Sequence, residues 1–188
     1  YVPITYRTLK SDIDCLGTYF AKVGMKGKKI AVIGENSYQW VVAYLAAVNG
    51  MSIAVPLDKE LPSHEIHNLL VRAEVDAILF SAKMEDKTLD ALEGISGVDL
   101  RIRMNGVSID PDVKSWETVM EEGRNALLEG CRQFMDVEID PDVMCALLFT
   151  SGTTGNSKGV MLSHRNIAAN VYNMSKYVKI RRPGVGLS

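Results

Sequence analysis

The residues of this chain best suited to chemistry lie together in Thr150-Ser151-Gly152-Thr153-Thr154-Gly155-Asn156-Ser157-Lys158-Gly159. Gly152, Gly155 and Gly159 carry no Cβ, so the backbone there can turn tightly and come close to a ligand. Successive N–H groups in such a turn form a concavity that accepts an anion. Thr150, Ser151, Thr153, Thr154 and Ser157 add hydroxyls able to donate to phosphate oxygens or to accept from water on a metal ion. Lys158 supplies a mobile point charge, which tolerates a ligand that moves during reaction. Together these groups suit a polyanionic phosphate tail.

Two familiar phosphate loops are excluded. The Walker A pattern is G-x-x-x-x-G-K-[ST]. Counting from Gly152, Ser157 stands where a glycine is required and Gly159 where Ser or Thr is required. The stretch is not a G-x-G-x-x-G dinucleotide turn either. By composition alone it also fits a plain Gly/Ser/Thr surface turn, and the order of its residues has to separate the two readings.

The elements around the loop must hold it in place. Apolar residues 144–150 lead in as a strand, and Val160, Met161 and Leu162 lead out as a short one. Ser163 then caps a helix whose stripe is Ile167, Val171, Met174 and Val178, with Lys176, Lys179, Arg181 and Arg182 toward its end, where cations meet the helix dipole favourably. Upstream, Ser11 is a candidate cap for a helix with Ile13, Leu16, Phe20 and Val23 on one face, closed by Gly24 and Gly27. Residues 29–34 read as a buried strand, and Asn36 or Ser37 caps an almost wholly apolar helix over 38–49 that should be buried, with Gly50 as its C-terminal cap. A strand over 52–57, a helix from Pro62-Ser63 with Ile66, Leu69, Leu70 and Ala73 on one face, and a strand over 76–81 follow. Residues 82–130 read as loops around a strand near 100–104, then a helix over 116–128. Strands alternating with helices give an α/β fold with a largely parallel sheet flanked by helices.

Other chemical residues carry plainer readings. His64 and His67 with Glu65 between them do not make H-E-x-x-H and suggest a solvated helix face. Lys26, Lys28 and Lys29 suggest a solvated turn. Asp136, Glu138, Asp140 and Asp142 form an acidic connector best read as an exposed loop. Cys15, Cys131 and Cys145 are far apart, with no zinc or disulfide spacing, and Cys145, inside an apolar run, reads as a buried inert thiol. No metal site is expected.

Among its 188 residues, 47% are hydrophobic and 23% charged, ordinary values for a globular protein. A formal net charge of −2 argues against a general nucleic-acid binder. No apolar run reaches the roughly 20 residues of a membrane span, and no signal peptide is apparent, so the default expectation is cytoplasmic. The chain begins at Tyr1 rather than Met and reads as a piece of a longer protein.

The run from Thr150 to Gly159 resembles the phosphate-binding motif of the adenylate-forming (AMP-binding) superfamily, which includes acyl-CoA synthetases, peptide-synthetase adenylation domains and luciferases. One departure is Ser157, where many members carry proline, a change in loop stiffness more than in charge. Gly34-Glu35-Asn36-Ser37, Gly50 and Ala54-Val55-Pro56-Leu57-Asp58 look like the amino-terminal part of the same enzymes. Gly159-Val160-Met161-Leu162-Ser163-His164-Arg165-Asn166 is most similar to long-chain fatty acyl-CoA synthetases.

The resemblance implies that residues 1–188 are the N-terminal portion of the large adenylation domain. It implies activation of a carboxylic acid, with fatty acids favoured, as an acyl-adenylate, then transfer to CoA, with ATP and Mg2+ required. Thr150, Ser151, Gly152, Thr153, Thr154, Gly155, Lys158 and Gly159 would hold the β- and γ-phosphates. Lys158, Thr153 and Thr154 would act in catalysis, Lys158 as counter-charge to the leaving pyrophosphate. The later aromatic-Gly-x-Thr-Glu stretch, the ribose-binding Asp and the small carboxy-terminal domain with its catalytic lysine are absent from the chain, so by itself it is expected to be inactive. Two alternatives stay open: an amino-acid-activating adenylation domain, and a non-catalytic, naturally truncated scaffold that binds partners through its incomplete face and has a stable, closed surface.

Overall fold

The computed structural model describes residues 3–49, 52–150 and 157–178. Its elements in chain order are α1 (Tyr6–Lys22), β1 (Lys29–Ile33), α2 (Tyr38–Val48), β2 (Ile53–Leu57), α3 (Ser63–Ala73), β3 (Ala77–Phe80), a 3-10 turn (Ala82–Met84), α4 (Glu85–Leu92), β4 (Leu100–Arg103), β5 (Val113–Ser115), α5 (Trp116–Leu128), β6 (Met144–Thr150), β7 (Lys158–Ser163) and α6 (His164–Tyr177). The strands form one seven-stranded sheet in the order β5-β4-β3-β1-β2-β6-β7. All neighbours are parallel except β6 and β7, which run antiparallel. The expected α/β class with a largely parallel sheet is what the chain forms.

The strand order explains which helix covers which face. A parallel strand–helix–strand crossover is almost always right-handed, so reversing direction across the sheet moves the helix to the other face. From β1 the chain steps through α2 to β2, then doubles back through α3 to β3 on the far side of β1. It continues the same way through α4 to β4, and α5 finally returns it across the sheet to β6. Accordingly α1, α2 and α5 pack with Ile30, Val32, Ala54, Leu79 and Ile102 in one core. Helices α3 and α4 pack with Ala31, Ile33, Val55, Ile78 and Phe80 in the other. Alternate residues of each strand thus serve opposite faces, and β1 and β3, covered on both sides, are apolar almost throughout.

Helix α1 lies between α2 and α5. Its Leu16, Tyr19 and Phe20 are fully buried. Gly123 of α5 permits the approach: a Cβ there would stand 2.1 Å from the Cys15 carbonyl oxygen. Tyr38 at the start of α2 donates to Asp12 Oδ2 at 2.7 Å, tying α2 to α1.

Several expectations need correction. Helix α1 starts at Tyr6 and is capped by the Thr5 side chain, which accepts from Thr8 N, rather than by Ser11. Ser11 sits within the helix because the polar first turns face solvent and show no apolar period to reveal them. Helix α2 is capped by Ser37, one of the two residues expected, but it is not wholly buried: Trp40, Tyr44 and Leu45 are half-buried. Gly50, expected to close it, lies outside the described residues. The 82–130 stretch is more regular than its loop-like composition suggested. Helix α4 is short and polar, burying Thr88, Ala91 and Leu92, and β5 adds an edge strand. Strand β7 spans Lys158–Ser163, longer than the apolar residues 160–162 indicated, because it continues as the partner of β6. Helix α6 has the expected Ser163 cap within a capping box, but no buried residue. Of its apolar stripe, Ile167 packs on the core, while Val171, Met174 and Val178 are exposed. Among the described residues no element lies over that side of α6.

Candidate phosphate-binding site

The carboxyl ends of parallel strands converge on one edge, where open α/β sheets bind ligands. Strand β6 pairs parallel with β2 through Ala54 and Ala146 and delivers Thr150 to that edge. Its partner β7 then returns antiparallel, with Thr150 opposite Lys158, Phe149 opposite Gly159 and Leu148 opposite Val160. The glycine-rich segment is therefore the connection of a hairpin whose two stems are hydrogen-bonded up to its ends.

A β-bulge lies between Met144 and Ala146. Cys145 and Leu147 would share a face in a regular strand, yet Cys145 packs with the α2 side and Leu147 and Phe149 with the α3 side. The extra residue re-aims the strand and sets Phe149 against α3 just before the loop.

Of the residues expected at the site, Thr150, Lys158 and Gly159 can be placed. Thr150 and Lys158 are both exposed and face each other on the last rung. Gly159 follows, and a Cβ on it would crowd Leu147 Cδ1 at 3.1 Å, so the bare backbone lets Leu147 lie against β7. None of the ion pairs among the described residues uses Lys158. Ser151, Gly152, Thr153, Thr154 and Gly155 lie outside the described residues. A rigid two-stranded stem with an exposed cation at one end and an exposed hydroxyl opposite can present both to an anionic ligand.

Sequence reasoning missed Arg72, the basic residue in the last turn of α3, because no local signal marks it. Its Nη1 donates to the Ser157 carbonyl at 2.9 Å across 85 residues of sequence, and its guanidinium lies 5.9 Å from the centre of the Phe149 ring. A cleft of about 480 Å³ opens beside this contact, lined by His64, Glu65, His67, Asn68, Arg72 and Ser157 among others. His64 is exposed, as a solvated helix face requires. His67 is half-buried, with Nδ1 2.9 Å from the Ala91 carbonyl. Among the described residues no group of three or more His, Cys, Asp or Glu could hold a metal ion.

On the same edge, Gly34 directly follows β1 and lies against Ser81. A Cβ at Gly34 would stand 2.9 Å from Ser81 Cβ and 3.1 Å from Met104 Cε. The Ser81 hydroxyl holds the neighbouring Glu35 carboxyl below the usual carboxylate range, with Lys83 and Lys59 adding to the effect.

The remaining chemical residues take structural parts. The acidic connector is exposed: Asp136 pairs with Arg132, and Asp142 makes a two-pronged pair with Arg165 at 2.6 and 2.8 Å. Lys28 and Lys29 pair with Asp76 and Glu74, so the basic turn fastens β1 to β3. Burial pushes the thiols of Cys15 and Cys145 up, away from the nucleophilic thiolate. No helix among the described residues is long and apolar enough to cross a membrane.

Fatty acyl-CoA synthetase A of Dictyostelium discoideum is 28% identical over 181 residues, covering 91% of this chain and 26% of that protein. Long-chain-fatty-acid–CoA ligase 6 of Rattus norvegicus is 27% identical over 196 residues, covering 96% and 27% respectively. The chain thus spans about a quarter of the length of these relatives. Among solved structures, a long-chain-fatty-acid-CoA ligase (FadD1) from Archaeoglobus fulgidus superposes with a TM-score of 0.77 at 22% identity, over 93% of this chain and 33% of that one. ATP-bound MatB from Rhodopseudomonas palustris gives 0.71 at 24% identity, over 93% and 32%. The fold is that of the N-terminal part of such enzymes. The family model described as AMP-binding enzyme matches residues 1–185, nearly the whole sequence, and the chain belongs to that family.

Proposed function

We propose that this chain is the N-terminal portion of the large adenylation domain of an ATP-dependent acyl-CoA synthetase, and that the carboxylic acid it serves is a fatty acid. The single observation that carries the reading is the β6–β7 hairpin, which presents Thr150 and Lys158 at the carboxyl edge of the sheet on either side of the glycine-rich connection. Membership of the AMP-binding family and the names of the relatives support it.

The reaction has two halves. A carboxylate oxygen attacks the α-phosphorus of ATP, the bond to pyrophosphate breaks, and an acyl-adenylate forms. The thiol sulfur of CoA then attacks the acyl carbon and AMP leaves. Residues 150–159 act in the first half by holding the β- and γ-phosphates. Charge grows on the pyrophosphate as it leaves, and donors already fixed in place stabilise that charge without having to reorganise. Lys158 supplies the counter-charge, while Thr153 and Thr154 donate or ligate through their hydroxyls. Mg2+ bound with the nucleotide would carry part of the phosphate charge. A cytoplasmic setting belongs to the same proposal.

By itself the chain is expected to be inactive, since it supplies one side of a nucleotide site. The scaffold alternative called for a closed surface; exposed Met161, Val171, Tyr172, Met174 and Tyr177 on β7 and α6 give it no support.

Acid-dependent ATP–pyrophosphate exchange tests the reading. The full-length protein is offered fatty acids, small organic acids and amino acids separately, with the 188-residue chain and a full-length Lys158→Ala variant alongside. Exchange with fatty acids in the full-length protein, none in the chain alone and less in the variant is expected. Exchange only with amino acids would move the protein to the amino-acid-activating branch. A folded full-length protein inert to every acid would remove the adenylation reading.

A further inference from the structure

We propose that Arg72 is a positioning residue for the phosphate loop, a role that rests on the reading that residues 150–159 receive the phosphates of ATP. The guanidinium reaches both stems of the hairpin at once. It donates to the carbonyl of Ser157, the last residue before β7, at 2.9 Å. It also lies over the ring of Phe149, the next-to-last residue of β6, at 5.9 Å from the centroid. Phe149 and Gly159 are paired across the stems, which sets the Phe149 ring beside β7.

The consequence falls on Lys158. Lys158 is the first residue of β7, so the peptide before it lies just beyond the paired stem, and its ammonium sits on a flexible stem able to sample many positions. Fixing the Ser157 carbonyl fixes the peptide unit that carries the Lys158 N–H, and so the point from which its side chain departs. Catalysis by a preorganised charge needs that restriction, because an error of about 1 Å in placement costs rate steeply. A charge-assisted hydrogen bond from a planar guanidinium, with a cation–π contact to the Phe149 ring beside it, is suited to it. Arg72 is therefore assigned an action through Lys158 and the loop rather than through the substrate.

Arg72 is an exposed residue, so its removal leaves both cores intact. A purely structural contact would shift thermal stability and leave the kinetics of ATP unaltered. A positioning contact instead lowers turnover, and it does so only while Lys158 is present to be positioned.

The test is a double-mutant cycle in the full-length protein, read by ATP–pyrophosphate exchange with kcat and KM for ATP measured separately and melting followed in parallel. Arg72→Ala is expected to lower kcat about tenfold, the loss of one charge-assisted hydrogen bond, with a smaller change in KM. Arg72→Lys, which keeps a cationic donor, should recover part of the loss and serves as the second variant if Arg72→Ala folds poorly. In a Lys158→Ala background, adding Arg72→Ala should cost little more, because residues acting as one unit are not additive. Unchanged kcat in an active Arg72→Ala protein overturns the proposal, as does a full tenfold loss on the Lys158→Ala background. If the wild-type full-length protein shows no exchange with any acid, the functional reading itself fails, and the assignment to Arg72 falls with it for a separately visible reason.

Discussion

Thr150 and Lys158 face each other as the last paired residues of β6 and β7, so one strand stem supports the hydroxyl and the other the cation. Their separation is set by sheet geometry rather than by the connection between them. In the full-length protein, Lys158→Ala should lower pyrophosphate exchange about a hundredfold, the scale of one preorganised donor. Thr150→Val keeps the β-branched shape and should lower it less. Circular dichroism of both variants is expected to match the wild type, because both side chains are exposed. A Lys158→Ala protein with wild-type exchange would remove the lysine from the mechanism.

Gly123 is where α5 touches α1. With only 2.1 Å between a would-be Cβ and the Cys15 carbonyl oxygen, the backbones of two helices must move apart to admit a methyl group. Gly123→Ala should destabilise the fold by about 3 kcal/mol, the upper range for overpacking a close contact, despite alanine's better helix propensity. Urea unfolding of the full-length protein measures it. A neutral or stabilising result would show that the helices are not this close.

Asp76 at the head of β3 accepts from Lys28 Nζ and from the Lys29 N–H, both at 2.8 Å. Burial pushes its carboxyl up, but the hydrogen bonds and charges of Lys28 and Lys29 outweigh that and leave it below the usual value. A carboxylate with a depressed folded pKa stabilises the fold fully above the unfolded value, about 3.9, and ceases to do so as pH falls through the folded value. Asp76→Asn should therefore lower Tm by a few degrees at pH 7, with the gap to wild type closing below about pH 4. A constant gap from pH 7 down to pH 3 would show that the carboxylate's charge contributes nothing.

Thiol accessibility separates the three cysteines. Cys15 and Cys145 are buried and their thiols are pushed up by desolvation, while Cys131 is half-buried. Alkylation of the native protein, followed by peptide mapping, should label Cys131 first and the other two only in denaturant. Rapid native labelling of Cys145 would contradict its place beneath α2.

The parts of the fold most legible in the sequence are those with strong local periodicity. The apolar runs at β1, β3 and β6 stood out because strands covered on both faces need no polar alternation. The caps Ser37 and Ser163 stood out because a hydroxyl directly before an apolar periodic run has a specific job. Thr5 was missed because Tyr6, Arg7 and Lys10 of the first turns point into solvent and carry no period. Helix α4 was missed for a related reason: eight residues, half of them charged, bury only Thr88, Ala91 and Leu92. The stripe of α6 was visible, but a stripe does not say what will cover it.

At the candidate site, residue types suited phosphate chemistry but also a plain surface turn, and only their order favoured the first. They could not show that Thr150 ends opposite Lys158, because cross-strand register depends on the pairing of whole strands. Nor could they show Arg72, whose contact with Ser157 joins positions far apart in the chain.

The alternation of strand and helix, and the family resemblance carried by short motifs, were readable from the chain alone, because they rest on chemistry and period within short windows. Long-range packing set the strand order, the antiparallel return of β7, the bulge that sends Cys145 and Leu147 to opposite faces, and the guanidinium of Arg72 on the Ser157 carbonyl. Each of those depends on which distant segments share a surface. That choice is made by burying two faces of one sheet at once under the handedness of its crossovers, and no local window records it.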